Sequence, residues 1–437
     1  MTTNRNPSSG AIRIIRASDE ASVSALLDRR PARNAAIEKT VAEILTRVRR
    51  QGDRALAAYA KRFDGLDGAM EVTDAVMRDA ARALDPRVKH AIRTAAANIR
   101  RVARKQVPRG WSTSPAPGVR ITQRVEPLDR VGCYVPAGRH PLPSSLLMTA
   151  IPAVVAGVPE VIAVCPRPDP TVLFAAREAG ISRLFRIGGA HAIAALAYGT
   201  ATIPRVDKIV GPGNAYVASA KAQVATECAI DFFAGPSEIA VVSSAGPPEW
   251  IAADLLAQAE HDPDARAILF TPVMTLAIAV AAAIERQLPG VGAAAAALRQ
   301  NGGIIVTRTL DEAIALSQRL APEHVVCDSD VVAKALTRAG TVFVGRYSAQ
   351  ACGDYVTGSN HVLPTSGAAS ARGGLSAADF VRVSTIQRLT RKGLQQIGPA
   401  AVALAEAEGL VGHAASVRIR LRPARPASRT RIAGASA

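Results

Sequence analysis

Aromatic side chains are scarce in this chain, 4% of 437 residues, so its core has to be built from Ala, Val, Leu and Ile. An aliphatic core suits helices laid over a mostly parallel sheet. No apolar run reaches the ~18 residues needed to cross a bilayer, so no membrane span is expected. The opening residues, MTTNRNPSSGAIRIIRASDE, hold no apolar stretch before a cleavage-like site, and no secretory signal is expected there. Cysteines are few and odd in number: Cys133, Cys165, Cys228, Cys327 and Cys352. Without CxxC spacing they exclude a disulfide framework and a cysteine-based zinc site. A reducing cytoplasm is the expected compartment. The dinucleotide fingerprint GxGxxG is absent too.

Acidic residues are outnumbered, 36 against 53 basic ones, for a formal charge of +17. A nucleic-acid partner is one way to use such an excess, which makes a basic nucleic-acid-binding protein the rival from another class. The distribution speaks against it. Part of the charge sits in a C-terminal stretch with Arg418, Arg420, Arg422, Arg425, Arg429 and Arg431, broken by Pro423 and Pro426. Another part lies on a helical pattern with Arg93, Arg100, Arg101, Arg104 and Lys105. Neither carries the interleaved aromatics on which bases stack. A solvated basic surface is the expectation, with no specific nucleic-acid partner.

The length allows roughly two to three domains. Residues 1–27 read as a loose arm. Apolar residues then recur at helical spacing over Ala35–Arg49, as Ile37, Val41, Ile44, Leu45 and Val48, and again over Asp53–Phe63. From Arg130 short apolar runs alternate with helical stretches: RVGCYVP, EVIAVCP, RLFRIGG and KIVGPG each precede one. A second series starts at Glu238 with EIAVVSS, RAILFT, GGIIVT and TVFVG. Strand–helix alternation of this kind predicts two doubly wound, Rossmann-like parallel-sheet blocks in tandem. The expected domains are 28–129 with 237–375, and 130–236. A helical region over 376–420 and a disordered Arg-rich tail over 421–437 complete the chain. Ligands are expected at the carboxyl ends of strands, in a cleft between the blocks.

Several segments place polar or ionisable residues where a core has no need of them. Gly211-Pro212-Gly213-Asn214 stands between a strand and a helix, where backbone amides and a helix start suit an anion, although a plain turn explains it as readily. Gly235-Pro236-Ser237-Glu238 falls at the junction of the blocks. Gln258 and His261 sit three apart at a helix end and share a face. Two such donors need partners from elsewhere to hold a metal. Glu323-His324 pairs a carboxylate with an imidazole, groups suited to moving protons near neutral pH. Gly353-Asp354-Tyr355 runs into a glycine-rich stretch with Asn360 and His361, read as a long loop. Glu408 and His413 flank Gly409.

Taken in order, these segments are similar to the histidinol dehydrogenase family. The resemblance runs from about Val41 to Arg418 through GDRALAAYAKRFDG, GGAHAIAALAYGT, VDKIVGPGNAYVASAK, GPSEIAVV, LLAQAEHDPDA, APEHV, GDYVTGSNHVLPTSG and EGLVGHAASVRIR. It implies zinc held by Gln258, His261, Asp354 and His413, and an acid/base pair at Glu323 and His324. It implies substrate contacts at Ser237, Gln258, His261, His324, Asp354, Glu408 and His413, and NAD contacts at Tyr134, His191 and Asn214. The implied reaction is oxidation of L-histidinol through the aldehyde to L-histidine with two NAD. A related enzyme acting on another alcohol, such as a sulfonated propanediol, is the alternative within the fold. A homodimer is implied as well, with the C-terminal region completing the partner's site.

The chain departs from the family at four places. His191 stands where Gln is usual in GGAQA. Ala137, Arg139 and His140 alter the glycine-rich stretch after Tyr134. Gln318 replaces an Asn, and Cys352 precedes GDY.

Overall fold

A computed structural model describes residues 10–28, 34–136, 141–233 and 235–422. Residues 137–140 and the arginines beyond Arg422 lie outside the described residues. The chain falls into two compact units. One is built from residues up to Val107 and from Pro127–Phe380; the other comprises Pro108–Glu126 and the residues from Val381 on.

The first unit opens with β1 (Ile14–Arg16) and α1 (Glu20–Leu27), where a loose arm was expected. The strand is short, but it pairs in parallel with a later strand, Ile15 opposite Ile305, and buries Ile15 there. Four helices follow: α2 (Ala35–Gln51), α3 (Asp53–Tyr59), α4 (Asp74–Ala83) and α5 (Pro86–Gln106). Helix α2 starts where Asn34 accepts hydrogen bonds from the Ala36 and Ile37 amides, and it buries Val41, Ile44, Leu45 and Val48 on one face. A π turn, Ala60–Asp64, extends α3. The hairpin β2 (Trp111–Ala116) and β3 (Val119–Pro127) then leads back to the first unit.

There the four expected strand–helix pairs follow in order: β4 (Arg130–Tyr134) with α6 (Pro143–Ala156), β5 (Glu160–Val164) with α7 (Pro170–Ala179), β6 (Arg183–Phe185) with α8 (Gly189–Tyr198), and β7 (Lys208–Val210) with α9 (Ala215–Val224). β8 (Ala229–Ile230) ends the block. The sheet runs β6-β5-β4-β7-β8, parallel throughout. The winding reverses between β4 and β7, the crevice where open α/β sheets bind ligands.

The second block holds β9 (Glu238–Val242), α10 (Pro248–Ala259), β10 (Arg266–Thr271), α11 (Met274–Gln287), α12 (Ala294–Asn301), β11 (Gly303–Val306), α13 (Leu310–Leu320), β12 (His324–Cys327), α14 (Asp330–Ala335), β13 (Thr341–Val344) and α15 (Gln350–Tyr355). Its sheet order is β1-β11-β10-β9-β12-β13. Leaving out β1, that is the winding of the first sheet repeated, with the reversal between β9 and β12.

Helix α1 packs with the second block, through Val23, Leu26 and Leu27, but α2, α3 and α5 do not, as the expected 28–129 plus 237–375 domain required. Val41, Leu45, Leu56 and Tyr59 pack with Ile162, Phe185 and Ile193, and Ile92 and Ile99 of α5 share a core with Leu147 and Ile151. Hydrophobic periodicity finds a helix but not the sheet it will cover.

In the second unit β14 (Val381–Leu389) joins β3 and β2 in a three-stranded sheet, and α16 (Arg391–Ala407) packs on α17 (Val411–Leu421). The strand lies where helix was expected from 376 on. VRVSTIQRL lacks a clean apolar/polar alternation, and no position in it is fully buried, so the period of a half-buried strand is missing.

Candidate active site

The amino ends of β9 and β12 lie side by side where the second sheet reverses, with His324 opposite Ile239. Glu323 and His324 are therefore at the amino edge of this sheet, not at the carboxyl ends where ligands were expected. Both are buried, 7% and 3% exposed. The Glu323 carboxylate accepts a hydrogen bond from the Glu238 amide at 3.1 Å, and His324 Nδ1 lies 3.3 Å from the Glu238 carbonyl oxygen. His324 Nδ1 is also 3.8 Å from Glu323 Oε2, and its Nε2 is 3.6 Å from Asp354 Oδ1. One imidazole thus stands between two carboxylates.

The electrostatics follow from that arrangement. Burial pushes the Glu323 carboxyl up to about 7, against the pull of the neighbouring imidazole. Burial also works against a charged His324, but the carboxylates of Glu323 and Asp354 outweigh it and hold the imidazole above its ordinary range. Asp354 would be raised by burial as well. The hydrogen bond and charge of His324 hold it below the usual carboxylate range instead.

Asp354 belongs to α15, a helix where a loop was expected. Gln350, one turn earlier on the same face, donates from Nε2 to Asp354 Oδ2 at 2.7 Å. The Gln350 peptide N–H in turn donates to the Asp254 carboxylate on α10, whose burial pushes it up to about 6. Gln258 lies one turn beyond Asp254 and is fully buried, yet neither its Oε1 nor its Nε2 has a hydrogen-bond partner. An amide buried in that state costs about 1–3 kcal/mol unless something occupies it. His261 follows the α10 C-terminus and is exposed. Its charge is near enough to help lower His361, after burial, the largest cause. His361 Nδ1 lies 2.8 Å from the Asp354 carbonyl oxygen, and its Nε2 is 3.4 Å from Ser145 Oγ.

Ser237, half-buried, precedes Glu238 at the start of β9, and its carbonyl accepts from the Arg266 amide. Glu408 and His413, both exposed, belong to the second unit, at the end of α16 and the start of α17. Among the described residues, no group of three or more His, Cys, Asp or Glu is arranged to hold a metal. The four expected ligands include an amide, which lies outside that set, and His413, which lies in the other unit.

The carboxyl edge of the five-stranded sheet carries the remaining candidates. Tyr134 ends β4 and is buried, its hydroxyl accepting from the Gly189 amide at 3.0 Å. His191, 1% exposed, pairs Nε2 with Asp64 Oδ2 at 2.8 Å, and Asp64 also accepts from the Gly188 amide. Both side chains therefore already have partners within the chain. Asn214 caps α9, accepting from the Tyr216 and Val217 amides, and is exposed. Asp64, Asp254 and Gln350 were not singled out from the sequence, and Glu238 and His361 were named there only as members of their segments, without a role. Only the chain's folding shows that Asp64, Glu238, Gln350 and His361 each bond a candidate, and that Asp254 bonds Gln350.

A family model described as histidinol dehydrogenase matches residues 27–421. The chain is 48% identical over 399 residues to the histidinol dehydrogenase of Rhizobium meliloti (strain 1021), covering 88% of this chain and 92% of that one. It is 48% identical over 400 residues to the one from Syntrophotalea carbinolica, covering 88% and 93%. It is also similar to the crystal structure of histidinol dehydrogenase from Elizabethkingia anophelis, with TM-score 0.90, 32% identity, and coverage of 94% of this chain and 98% of that one.

Proposed function

The chain belongs to the histidinol dehydrogenase family and is an NAD-dependent oxidoreductase of histidine biosynthesis, and on that premise we propose which residues carry the oxidation of L-histidinol through L-histidinaldehyde to L-histidine. The observation that carries the reading is the unpartnered, buried amide of Gln258 on the helix that meets α15, which bears Asp354. Its oxygen, the His261 imidazole, the Asp354 carboxylate and the His413 imidazole form a mixed nitrogen and oxygen set that suits zinc. A zinc ion held by these residues would supply a Lewis acid able to anchor a nitrogen-rich substrate and orient its alcohol carbon. NAD, which would accept both hydrides, would be held at the β4/β7 crevice by Tyr134, His191 and Asn214.

The protein's own groups then move the protons. His324, held between two carboxylates, accepts the hydroxyl proton as the alcohol is oxidised. Burial of the site retains the aldehyde and excludes stray water. Glu323, with its carboxyl near neutrality, takes a proton from the water that adds to the aldehyde. Having passed the first proton to solvent, His324 accepts the proton released in the second oxidation. Ser237 and Glu408 complete the substrate contacts.

Glu408 and His413 act, in this reading, on the site of a second copy in a homodimer. Support comes from the same helices, which leave Leu404, Val411 and Ile419 66%, 75% and 64% exposed. Exposed apolar residues on a packed helix pair suit a protein partner.

Counting NADH formed per L-histidinol, with and without chelator, tests the reaction. About two per molecule, abolished by the chelator, is expected for a four-electron oxidation of this kind. About one, or none with histidinol and turnover with another alcohol such as a sulfonated propanediol, overturns it.

A further inference from the structure

The Gly211-Pro212-Gly213-Asn214 loop is gripped at its first residue by a buried ion pair that the chemistry above does not use. Lys221, on α9, and Asp231, just after β8, form an ion pair with side chains 3% and 1% exposed. Lys221 Nζ donates to the Gly211 carbonyl oxygen at 2.9 Å, and Asp231 Oδ2 accepts from the Gly211 amide at 2.7 Å. The other Asp231 oxygen accepts from the Phe232 amide at 2.6 Å. Both polar groups of one residue are thus held by the two members of one pair.

Gly211 has no freedom left. Its φ is +115°, a region that side chains disfavour. A Cβ there would overlap the carbonyl oxygen of Tyr134. Pro212, with its fixed φ, follows at once. At the other end of the loop, Asn214 caps α9. The loop stands at the winding reversal between β4 and β7.

A buried ion pair is a poor choice for stability alone, because well-packed apolar residues of similar size often serve as well. What it supplies here is orientation. We infer that Lys221 and Asp231 are positioning residues for the cofactor, setting the Gly211 peptide and so the loop that presents Asn214. The inference rests on the reading that this loop receives NAD. The pair therefore governs affinity for NAD and leaves the histidinol side, on the other sheet, untouched.

The test compares the purified enzyme with Lys221→Met, with the double variant Lys221→Met/Asp231→Leu, and with Asn214→Ala. Lys221→Met strands a buried carboxylate, and the double variant removes both charges so that folding does not depend on an uncompensated one. Binding of NADH is followed by its fluorescence, the KM for histidinol at saturating NAD by initial rates, and the Gly211 segment by hydrogen exchange. NADH binding is expected to weaken about tenfold or more in the double variant, with faster exchange at the loop and a histidinol KM within about twofold of wild type. A double variant that keeps wild-type NADH affinity while Asn214→Ala weakens it overturns the role of the pair alone. Asn214→Ala with wild-type NADH affinity overturns the reading of the loop, and the positioning role with it.

Discussion

The imidazole of His324 lies with Nε2 3.6 Å from the Asp354 carboxylate and Nδ1 3.8 Å from the carboxylate of Glu323, its neighbour in the chain. Flanking carboxylates raise the proton affinity of the imidazole, so it takes up a proton readily, and it has to pass that proton on to solvent before it can serve the second oxidation.

Replacing His324 by Asn is expected to lower both half-reactions by on the order of 10²–10⁴ while zinc content is unchanged. Glu323→Gln is expected to slow oxidation of the aldehyde far more than that of the alcohol. The Glu323 carboxyl is raised to about 7, so it is protonated and idle as a base below that pH. The aldehyde half-reaction should therefore rise with pH through about 7 in the wild type and lose that rise in Glu323→Gln. Single-turnover rates from each substrate across pH decide it; equal losses in the two half-reactions would contradict the assignment.

Glu238 gives a stability counterpart. Burial, opposed by Arg266 and reinforced by Glu323, raises its carboxyl from 4.5 to about 7 in the folded chain. The folded state therefore binds the proton more tightly than the unfolded one. The associated stability is present below about pH 4.5 and is lost as pH rises towards 7. Glu238→Gln cannot ionise, so its melting temperature should gain on the wild type across that window and hold a constant lead above it. A lead that shrinks with rising pH would contradict the burial argument.

Much of this could be read from the chain beforehand. Strands such as EIAVV and RAILF are apolar after their first residue because parallel strands are covered on both faces, and they lie where their runs stand. Glu323 and His324 declared themselves by being ionisable at the mouth of such a run. The edge of the sheet on which they lie did not, because a strand's polarity is not written in its composition. Asp254 and Gln350 read as ordinary polar positions on helices; only the meeting of α10 and α15 gives them a role. The 108–126 hairpin was missed because WSTSPA has few apolar residues to alternate, and five of its six positions are exposed.

His191 is the departure with the clearest structural consequence. Its Nε2 partners Asp64, whose side chain is 7% exposed, and Asp64 also receives the Gly188 amide at the start of the cofactor-side turn. His191→Ala leaves that carboxylate short of a partner and is expected to cost about 1–3 kcal/mol. His191→Gln, the residue usual in the family, keeps a donor within reach and should cost less. Chemical denaturation of the two variants checks the order; an equal or reversed loss would show that the pairing with Asp64 contributes nothing.

The central claim is that Gln258, His261 and Asp354, with His413, hold one divalent cation next to Glu323 and His324. Zinc content and zinc affinity of the dialysed enzyme test it directly, for wild type and for Gln258→Leu, Asp354→Asn and His413→Ala. About one tightly bound zinc per chain in the wild type, and weaker binding in every variant with the fold intact, is the expected result. Undiminished zinc in Gln258→Leu or Asp354→Asn would contradict the account.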